Sequence, residues 1–285
     1  DDDDDGDSFE ALLTNLPSSG PPSRWSMATA VGEGTRRLPV LSKAPSHRSI
    51  TSRRTYASSI VTSVDAALEH VGLGWFHALA LPILCLASMA QSLQTNLLSY
   101  MQPCAAASFG IQDEQIGLLS AVVFLTSAVA TPLFGLLADT AGRKPATVIS
   151  LGLMVAANVS SMMAPSFALL CAFQAVAGIG LGGTMVPFDL IAELSPPSVR
   201  GAVLNASNWM WSVGTIIVAL VAAFAVSAGS EGWRVLVGAV TTPLLLTTAL
   251  APLVSESPHW HAKMGDHRRA VRLLRSMARW HRVAL

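Results

Sequence analysis

The charged side chains with the most regular spacing lie in the segment Gly135-x-x-x-Asp139-x-x-Gly142-Arg143-Lys144. Asp139 would be costly to leave unpaired at the end of a membrane helix, and Arg143 is close enough in the sequence to pair with it. Gly142 favours a tight turn, and Gly135 favours the close approach of a second helix. The spacing therefore predicts an ion pair at a helix–helix turn, and the alternative is a generic charged loop.

Two other segments combine acidic residues, basic residues and proline directly after long apolar runs. They are Ala192-Glu193-x-x-Pro196-x-x-x-Arg200-Gly201 and Glu256-Ser257-Pro258-His259-Trp260. Because Glu193 follows the fourth apolar run and Arg200 precedes the fifth, we expect both to lie at helix ends next to the Asp139 segment. Ion pairs at such ends can break and reform when two packed halves of a protein move against each other.

Four side chains stand out within the apolar runs, where a polar group is costly unless it has a partner or a function. They are Gln91, Gln94, Gln174 and Asp189. The glutamines either form hydrogen bonds between helices or line a solute pathway. Asp189 either belongs to that pathway or pairs with a charge at the helix end.

The residue patterns of catalysis are missing from the sequence. It contains no serine nucleophile elbow, no paired carboxylates and no zinc-ligand spacing. Cys85, Cys104 and Cys171 are far apart, so neither a disulfide framework nor a metal site is indicated. The run Gly178-x-Gly180-x-Gly182-Gly183 is better explained by close helix packing than by a nucleotide loop, because no strand precedes it. We expect no enzyme activity, cofactor or metal, and the net charge of zero argues against a nucleic-acid partner.

The elements that must position these residues are long apolar runs. Of the 285 residues, 51% are hydrophobic and 13% are charged, against about 25% charged residues in soluble proteins. Six runs are close to the roughly 20 residues that a bilayer-crossing helix needs. They cover Phe76–Met101, Ile116–Ala138, Ala146–Met163, Phe167–Leu190, Val203–Ala228 and Val235–Val254. The sequence therefore predicts an all-α membrane protein with six transmembrane helices.

The distribution of positive charge predicts the orientation of these helices. If the segment before the first run is cytoplasmic, 17 of the 18 Lys and Arg residues lie inside and only Arg234 lies outside. This asymmetry is the positive-inside bias of membrane proteins. We therefore expect both ends of the chain on the cytoplasmic side of a membrane that the sequence does not identify.

Four regions are predicted along the chain. Residues 1–56, rich in Ser, Pro, Gly and Arg, predict a disordered cytoplasmic tail, and residues 57–74 predict a short amphipathic pre-helix. Residues 75–254 predict the six-helix bundle. Residues 255–285 predict a cytoplasmic region with a basic amphipathic helix, which lies on the membrane, docks on the bundle or binds a calmodulin-type partner. Because the chain begins with Asp and stops within this helical pattern, we expect it to be a fragment.

The three charged motifs, in this order, resemble those of the major facilitator superfamily. The first is similar to its G-x-x-x-D-x-x-G-R-K/R signature between the second and third helices. The other two resemble loops that follow the fourth and sixth helices of sugar and organic-ion porters. The segments Val64-Asp65-x-Ala67-Leu68-Glu69 and Gly182-Gly183-x-x-x-Pro187-x-Asp189 are similar to transporters related to synaptic vesicle glycoprotein two. The resemblance covers about residues 64–282.

This resemblance implies the amino-terminal half of a twelve-helix transporter, whose missing carboxy-terminal six-helix half would be its partner. A small solute would bind between the halves, near the middle of the bilayer. The resemblance also implies gating contacts at the cytoplasmic face for the residues of the three motifs. These are Gly135, Asp139, Gly142, Arg143, Lys144, Glu193, Pro196, Arg200, Gly201, Glu256, Ser257 and Pro258.

The sequence departs from the related carriers at three places. Many of those carriers hold an acidic residue and an Arg where this chain has Gln91 and Gln174, and His259 stands where they have Arg. A neutral Gln cannot take up a proton, so we expect no proton coupling at this pair. The predicted function is transport of small organic solutes or ions by alternating access. The alternatives are a sugar-porter-like carrier and a non-transporting membrane protein that keeps the fold for interaction or regulation.

Overall fold

The computed structural model describes residues 63–111, 113–226 and 229–281. These ranges contain helices and the short connections between them, with no strand. The predicted tail 1–56, the first part of the predicted pre-helix (57–62) and residues 282–285 lie outside the described residues. The helices are α1 (63–71), α2 (Trp75–Phe109), α3 (Asp113–Ala141), α4 (Arg143–Met162), α5 (Phe167–Leu181), α6 (Met185–Leu194), α7 (Pro197–Val226), α8 (Gly232–Leu250), α9 (Pro258–Lys263) and α10 (His267–His281).

Six helices are long and apolar enough to cross a membrane, as the six apolar runs predict. Five of them are single helices: α2, α3, α4, α7 and α8. The remaining span covers Phe167–Leu194 and consists of α5 and α6 in succession. The prediction of an all-α protein with six spans is therefore confirmed for the described part of the chain.

The first spanning helix is longer than its apolar run. Residues 102–115 are predicted to form an outside loop, but α2 continues through Pro103 to Phe109. Ala105 and Ala106 are buried, and alanine is the strongest helix former, so the helix persists past the apolar run. Gly110 ends it with a φ of 64°, a left-handed conformation that favours glycine. The prediction of a loop that starts at residue 102 is therefore wrong.

The largest apolar core lies where α2, α4, α5 and α8 meet. Trp233 of α8 is fully buried, and its ring centroid lies 5.7 Å from that of Phe109 in α2. Met154 of α4 is buried in the same cluster. In contrast, α3 and α7 leave broad apolar faces uncovered by the described chain, for example at Leu125 and Phe224.

The glycine run of the fourth span packs against two neighbouring helices. A Cβ atom at Gly182 would lie 2.8 Å from the backbone carbonyl carbon of Ala130 in α3. A Cβ atom at Gly180 would lie 2.8 Å from the backbone oxygen of Ser150 in α4. These approaches are closer than any side chain permits, so the predicted role of the run in close helix packing is confirmed.

The same run interrupts the fourth span. α5 ends at Leu181 and α6 begins at Met185. In the turn between them, the N–H of Gly183 and the N–H of Val186 each donate to the carbonyl three residues earlier. Pro187 lacks the N–H that would donate to the carbonyl oxygen of Gly183 in a continuous helix. The N–H of Val186 donates to that oxygen instead. The span is therefore two short helices joined by a tight turn, which the sequence prediction of one continuous helix missed.

The helices outside the bundle, α1 and α10, pack on one end of it. Leu68 of α1 and Leu274 and Met277 of α10 are buried in one apolar cluster with Leu190 and Leu194 of α6. Of the three alternatives for the basic amphipathic helix, docking against the bundle is therefore the observed one. This end of the bundle, where α3 meets α4 and α6 meets α7, is called the charged end below.

We expect Gly182→Ala to destabilise the protein, because the added methyl group would overlap the backbone of α3. Overpacking of this kind costs about 1–3 kcal/mol, so the Tm in detergent should decrease by several degrees. Gly152→Ala in α4 is a matched control, since a Cβ atom there would meet nothing within 4 Å. Thermal unfolding of both variants measures the difference, and an equal effect at the two positions would contradict the packing argument.

Candidate functional site

Arg143, the first residue of α4, joins three helices at the charged end. The predicted ion pair is present: a guanidinium nitrogen lies 3.2 Å from Oδ1 of Asp139 in the last turn of α3. The same nitrogen lies 3.1 Å from Oε1 of Glu193 in the last turn of α6. A second guanidinium N–H donates to the carbonyl oxygen of Ala138 at 2.9 Å. One largely buried cation therefore holds the ends of α3 and α6 at the start of α4.

Glu256 caps the amino-terminal end of α4 from a distant part of the chain. Its carboxylate accepts hydrogen bonds from the backbone N–H groups of Arg143 at 2.9 Å and Lys144 at 3.2 Å. A carboxylate is favourable here, because the first N–H groups of a helix have no internal partner and carry the positive end of its dipole. Gly142 has a φ of 114°, and a Cβ atom there would lie 2.8 Å from Cδ of Glu256. Glycine is thus needed at this turn both for its conformation and for the approach of Glu256.

The short helix α9 is held on the same turn. Ser257 caps it by accepting a hydrogen bond from the backbone N–H of Trp260 at 3.2 Å, and Pro258 occupies its first turn. The indole N–H of Trp260 donates to the carbonyl oxygen of Asp139 at 3.0 Å. Nζ of Lys263 lies 3.1 Å from Oδ1 of Asp139, the oxygen that Arg143 also contacts. The first and third sequence motifs are therefore one structural unit.

Arg200 is not part of that unit, which corrects the prediction that it lies beside the Asp139 segment. Its guanidinium lies 2.5 Å from Oδ1 of Asp65 in α1 and donates to the carbonyl oxygen of Ser195 at 3.3 Å. Arg200 lies in the first turn of α7, and that turn is packed on α1. Oδ1 of Asp65 also lies 3.2 Å from Nε2 of His259, whose Nδ1 lies 3.1 Å from the carbonyl oxygen of Glu193. His259 therefore connects the second charge cluster to the first.

The acidic residues of α1 are functional candidates that sequence reasoning missed. Besides Asp65, Glu69 accepts a hydrogen bond from the backbone N–H of Ser198 at 3.1 Å and so caps α7. This hydrogen bonding from Ser198 lowers the pKa of the Glu69 carboxyl. The signal available in the sequence was a pair of acids four residues apart on the polar face of an amphipathic segment, a pattern that solvated helices share.

The remaining residues of the motifs have different environments. A Cβ atom at Gly135 or at Gly201 would meet nothing within 4 Å, so the close approach predicted at Gly135 is wrong within the described chain. Pro196 contributes its carbonyl oxygen, which accepts from the backbone N–H of Arg200 at 2.9 Å. Lys144 joins the charged end through its backbone N–H to Glu256.

The glutamines predicted for a solute pathway are buried inside the bundle. Gln94 accepts a hydrogen bond from Asn158 of α4 at 2.6 Å, and Gln174 donates to Ser161 of α4 at 3.1 Å. Gln91 is equally buried, and its Nε2 has no hydrogen-bond partner among the described residues. Gln94 and Gln174 therefore form hydrogen bonds between helices, the first of the two roles considered for the glutamines in the sequence. Their part in a solute pathway stays a prediction.

Asp189 lies in the middle of α6, near the end of the fourth span. It is five residues before Leu194, the last residue of α6, and one turn before Glu193. Its side chain is exposed at the surface of the described chain. Elsewhere in the described ranges, no group of three or more His, Cys, Asp or Glu side chains is arranged to hold a metal ion.

A polar stripe on α7 offers a better candidate for contact with a solute. Asn205, Asn208 and Ser212 follow one another at helical spacing, and all three are exposed on a helix that is otherwise apolar. Thr215 continues the stripe and lies 3.0 Å from Oγ of Ser92 in α2. Trp209, 70% exposed, lies beside it. Sequence reasoning missed this stripe because single amides in an apolar run also serve as packing residues.

Three curated relatives resemble this chain in sequence. It is 31% identical over 236 residues to svop-1 of Caenorhabditis elegans, which is named as a transporter, covering 82% of this chain and 45% of that protein. It is 28% identical to the synaptic vesicle 2-related protein of Rattus norvegicus, covering 75% and 39%. It is 27% identical to organic cation/carnitine transporter 7 of Arabidopsis thaliana, covering 78% and 44%. The chain thus spans less than half the length of these relatives.

The fold is also that of known transporters. The xylose transporter XylE from E. coli, in a partially occluded inward-open conformation, matches 71% of this chain and 54% of its own length, with a TM-score of 0.65 and 21% sequence identity. A second structure of XylE, bound to a bromo-deoxy-glucose and described as a major facilitator superfamily symporter, matches with a TM-score of 0.58.

The family model for the sugar (and other) transporters matches residues 80–284, which is most of the chain. This match, the named relatives and the fold confirm the resemblance inferred from the three charged motifs. The chain belongs to the sugar (and other) transporter family.

Proposed function

We propose that this chain is the amino-terminal half of a carrier that moves small organic solutes or ions across a membrane by alternating access. The single observation that supports this most is the bridge made by Arg143 between Asp139 and Glu193, with Glu256 at the adjoining helix end. Arg143, Asp139 and Glu193 all lie at helix ends, so the contacts between them can break without unfolding a membrane-spanning helix. Contacts that can open in this way suit a moving gate, which a static scaffold does not need.

The charged end faces the cytoplasm in this proposal. The positive-inside bias supports that orientation, since Arg234 is the only Lys or Arg among the described residues that lies at the opposite end. There its guanidinium donates to the carbonyl oxygens of Met162 and Ala164 at 2.7 and 3.2 Å. The bridge at the charged end would therefore close the cytoplasmic side when the carrier opens outward.

The solute would contact the polar stripe of α7. Asn208 and its neighbours offer neutral donors and acceptors on an exposed face, whereas the buried Gln94 and Gln174 are occupied by other helices. Two observations support a second six-helix half that encloses the solute. The apolar faces of α3 and α7 are uncovered, and the relative svop-1 is about twice as long as the part that this chain matches.

The direct test uses the full-length protein that contains this chain, reconstituted into proteoliposomes. Uptake of a radiolabelled hexose, an organic cation and an organic anion is compared with uptake by liposomes without protein. Saturable uptake of one class supports the proposal and identifies the class. A folded protein that takes up none of the three and is not thermally stabilised by any would favour the interaction or regulatory alternative.

We expect Arg143→Lys to lower the uptake rate by about tenfold, because an ammonium lacks the planar fork with which the guanidinium reaches two carboxylates and a carbonyl from separate nitrogens. Arg234→Lys makes the same change at the opposite end and serves as the matched control. Initial rates in proteoliposomes, together with the Tm of each variant, separate the effect on gating from the effect on stability. An equal loss of rate in both variants would contradict the assignment.

We expect Asn208→Ala and Asn158→Ala to affect different quantities. The exposed Asn208 should affect solute recognition, with KM raised about fivefold for a neutral hydrogen bond of about 1 kcal/mol, and the Tm unchanged. The buried Asn158 bonds to Gln94, so its truncation should lower the Tm by several degrees. Uptake kinetics and thermal unfolding measure both effects, and a reversed pattern would place the solute at the buried amides.

We also expect that no proton coupling passes through Gln91 and Gln174, because neither side chain titrates. Solute accumulation should then be insensitive to a protonophore, or another titratable group should carry the proton. Asp189→Asn is the first variant to measure for the second case. Proton-driven uptake that survives Asp189→Asn and is abolished by Gln91→Ala would contradict this expectation.

A further inference from the structure

His259 lies at the start of α9 with each ring nitrogen next to an oxygen that only accepts hydrogen bonds. Nδ1 lies 3.1 Å from the backbone carbonyl oxygen of Glu193, and Nε2 lies 3.2 Å from Oδ1 of Asp65. A neutral imidazole has one N–H and can donate only one of these bonds, whereas an imidazolium donates both. The observed arrangement is therefore fully satisfied only when the ring is doubly protonated.

The ring joins three elements that are otherwise separate in the chain. It belongs to α9, Asp65 belongs to α1, and Glu193 belongs to the last turn of α6. The side chain is 12% exposed, so water competes little for its hydrogen bonds. When the imidazolium loses one proton, one ring nitrogen presents a lone pair to its neighbouring oxygen, and that contact becomes repulsive.

Asp65 and Glu193, the two residues that contact the ring, have further partners among the charged groups of this end. Asp65 also accepts from Arg200, and the carboxylate of Glu193 faces Arg143. Within α9 and the adjoining turn, burial lowers the pKa of His261. The remaining pairs are Lys263 with Asp139, Asp266 with Arg269, and Glu256 with the N–H groups of Arg143 and Lys144.

We propose that His259 is a proton-operated latch at the charged end, closed when the imidazole is protonated and released when it is neutral. An Arg at this place, as in similar motifs, would be charged at every physiological pH, whereas a His is charged only conditionally. This inference rests on the proposed function only in taking the opening of the charged end as part of a transport cycle.

The test measures the distance between α1 and α9 in the full-length protein, without any transported solute. Native cysteines are replaced, and spin labels are attached at the exposed positions Ala66 and Met264. Distance distributions in nanodiscs are recorded between about pH 5.5 and pH 8.5, a range in which imidazole titrates and carboxylates remain charged. The variants are His259→Arg, His259→Gln and, as a matched control, the neighbouring His261→Gln.

We expect the equilibrium between long and short distances to shift roughly tenfold towards long distances across this range, as for loss of one charge-assisted hydrogen bond. His259→Arg should remain at short distances at every pH, and His259→Gln should remain at long distances. His261→Gln should respond as the native protein does. A native protein without a shift, or a shift that persists in His259→Arg, would overturn the proposal. Because this readout needs no transport, its failure is distinguishable from a failure of the uptake assay.

Discussion

A positive charge at the start of a helix is unfavourable, and the charged end of this protein is arranged around that problem. Arg143 adds a guanidinium to the positive dipole end of α4. Three carboxylates offset this charge: Asp139 from α3, Glu193 from α6 and Glu256 from the segment before α9. Since each carboxylate comes from a different element, neutralising one helix end fixes the mutual position of all of them.

The interior of the bundle depends on shape and on neutral hydrogen bonds instead of charge. The backbone of the fourth span lies against that of α3 at Gly182 and that of α4 at Gly180, which leaves no room for a side chain. The amide of Gln94 meets that of Asn158 between α2 and α4. A tightly packed interior with a salt-bridged rim is the arrangement that the proposed cycle requires, in which the spans would move as one body while the contacts at the rim exchange.

Local rules in the sequence predicted the spans and the pair between Asp139 and Arg143, because both depend on residues close together in the chain. The partner of Arg200 could not be predicted in this way. Asp65 is 135 residues away, on a helix whose acids resemble those of any solvated surface. The extension of α2 was missed because hydropathy ends at Met101, whereas alanine-rich sequence continues the helix to Phe109. The polar stripe of α7 was missed because a sequence does not show which face of a helix stays uncovered.

The two caps supplied from outside the spans have a consequence for biogenesis. Glu69 precedes all six spans and is available when α7 is made, so the cap at Ser198 can form as soon as that helix inserts. Glu256 follows all six spans and is synthesised 113 residues after Arg143. Throughout the interval, the start of α4 has its guanidinium and free N–H groups without this carboxylate, so the charged end is the last part of the bundle to mature. A chain that stops short of residue 256 would therefore contain the six spans described here but lack the carboxylate that caps α4.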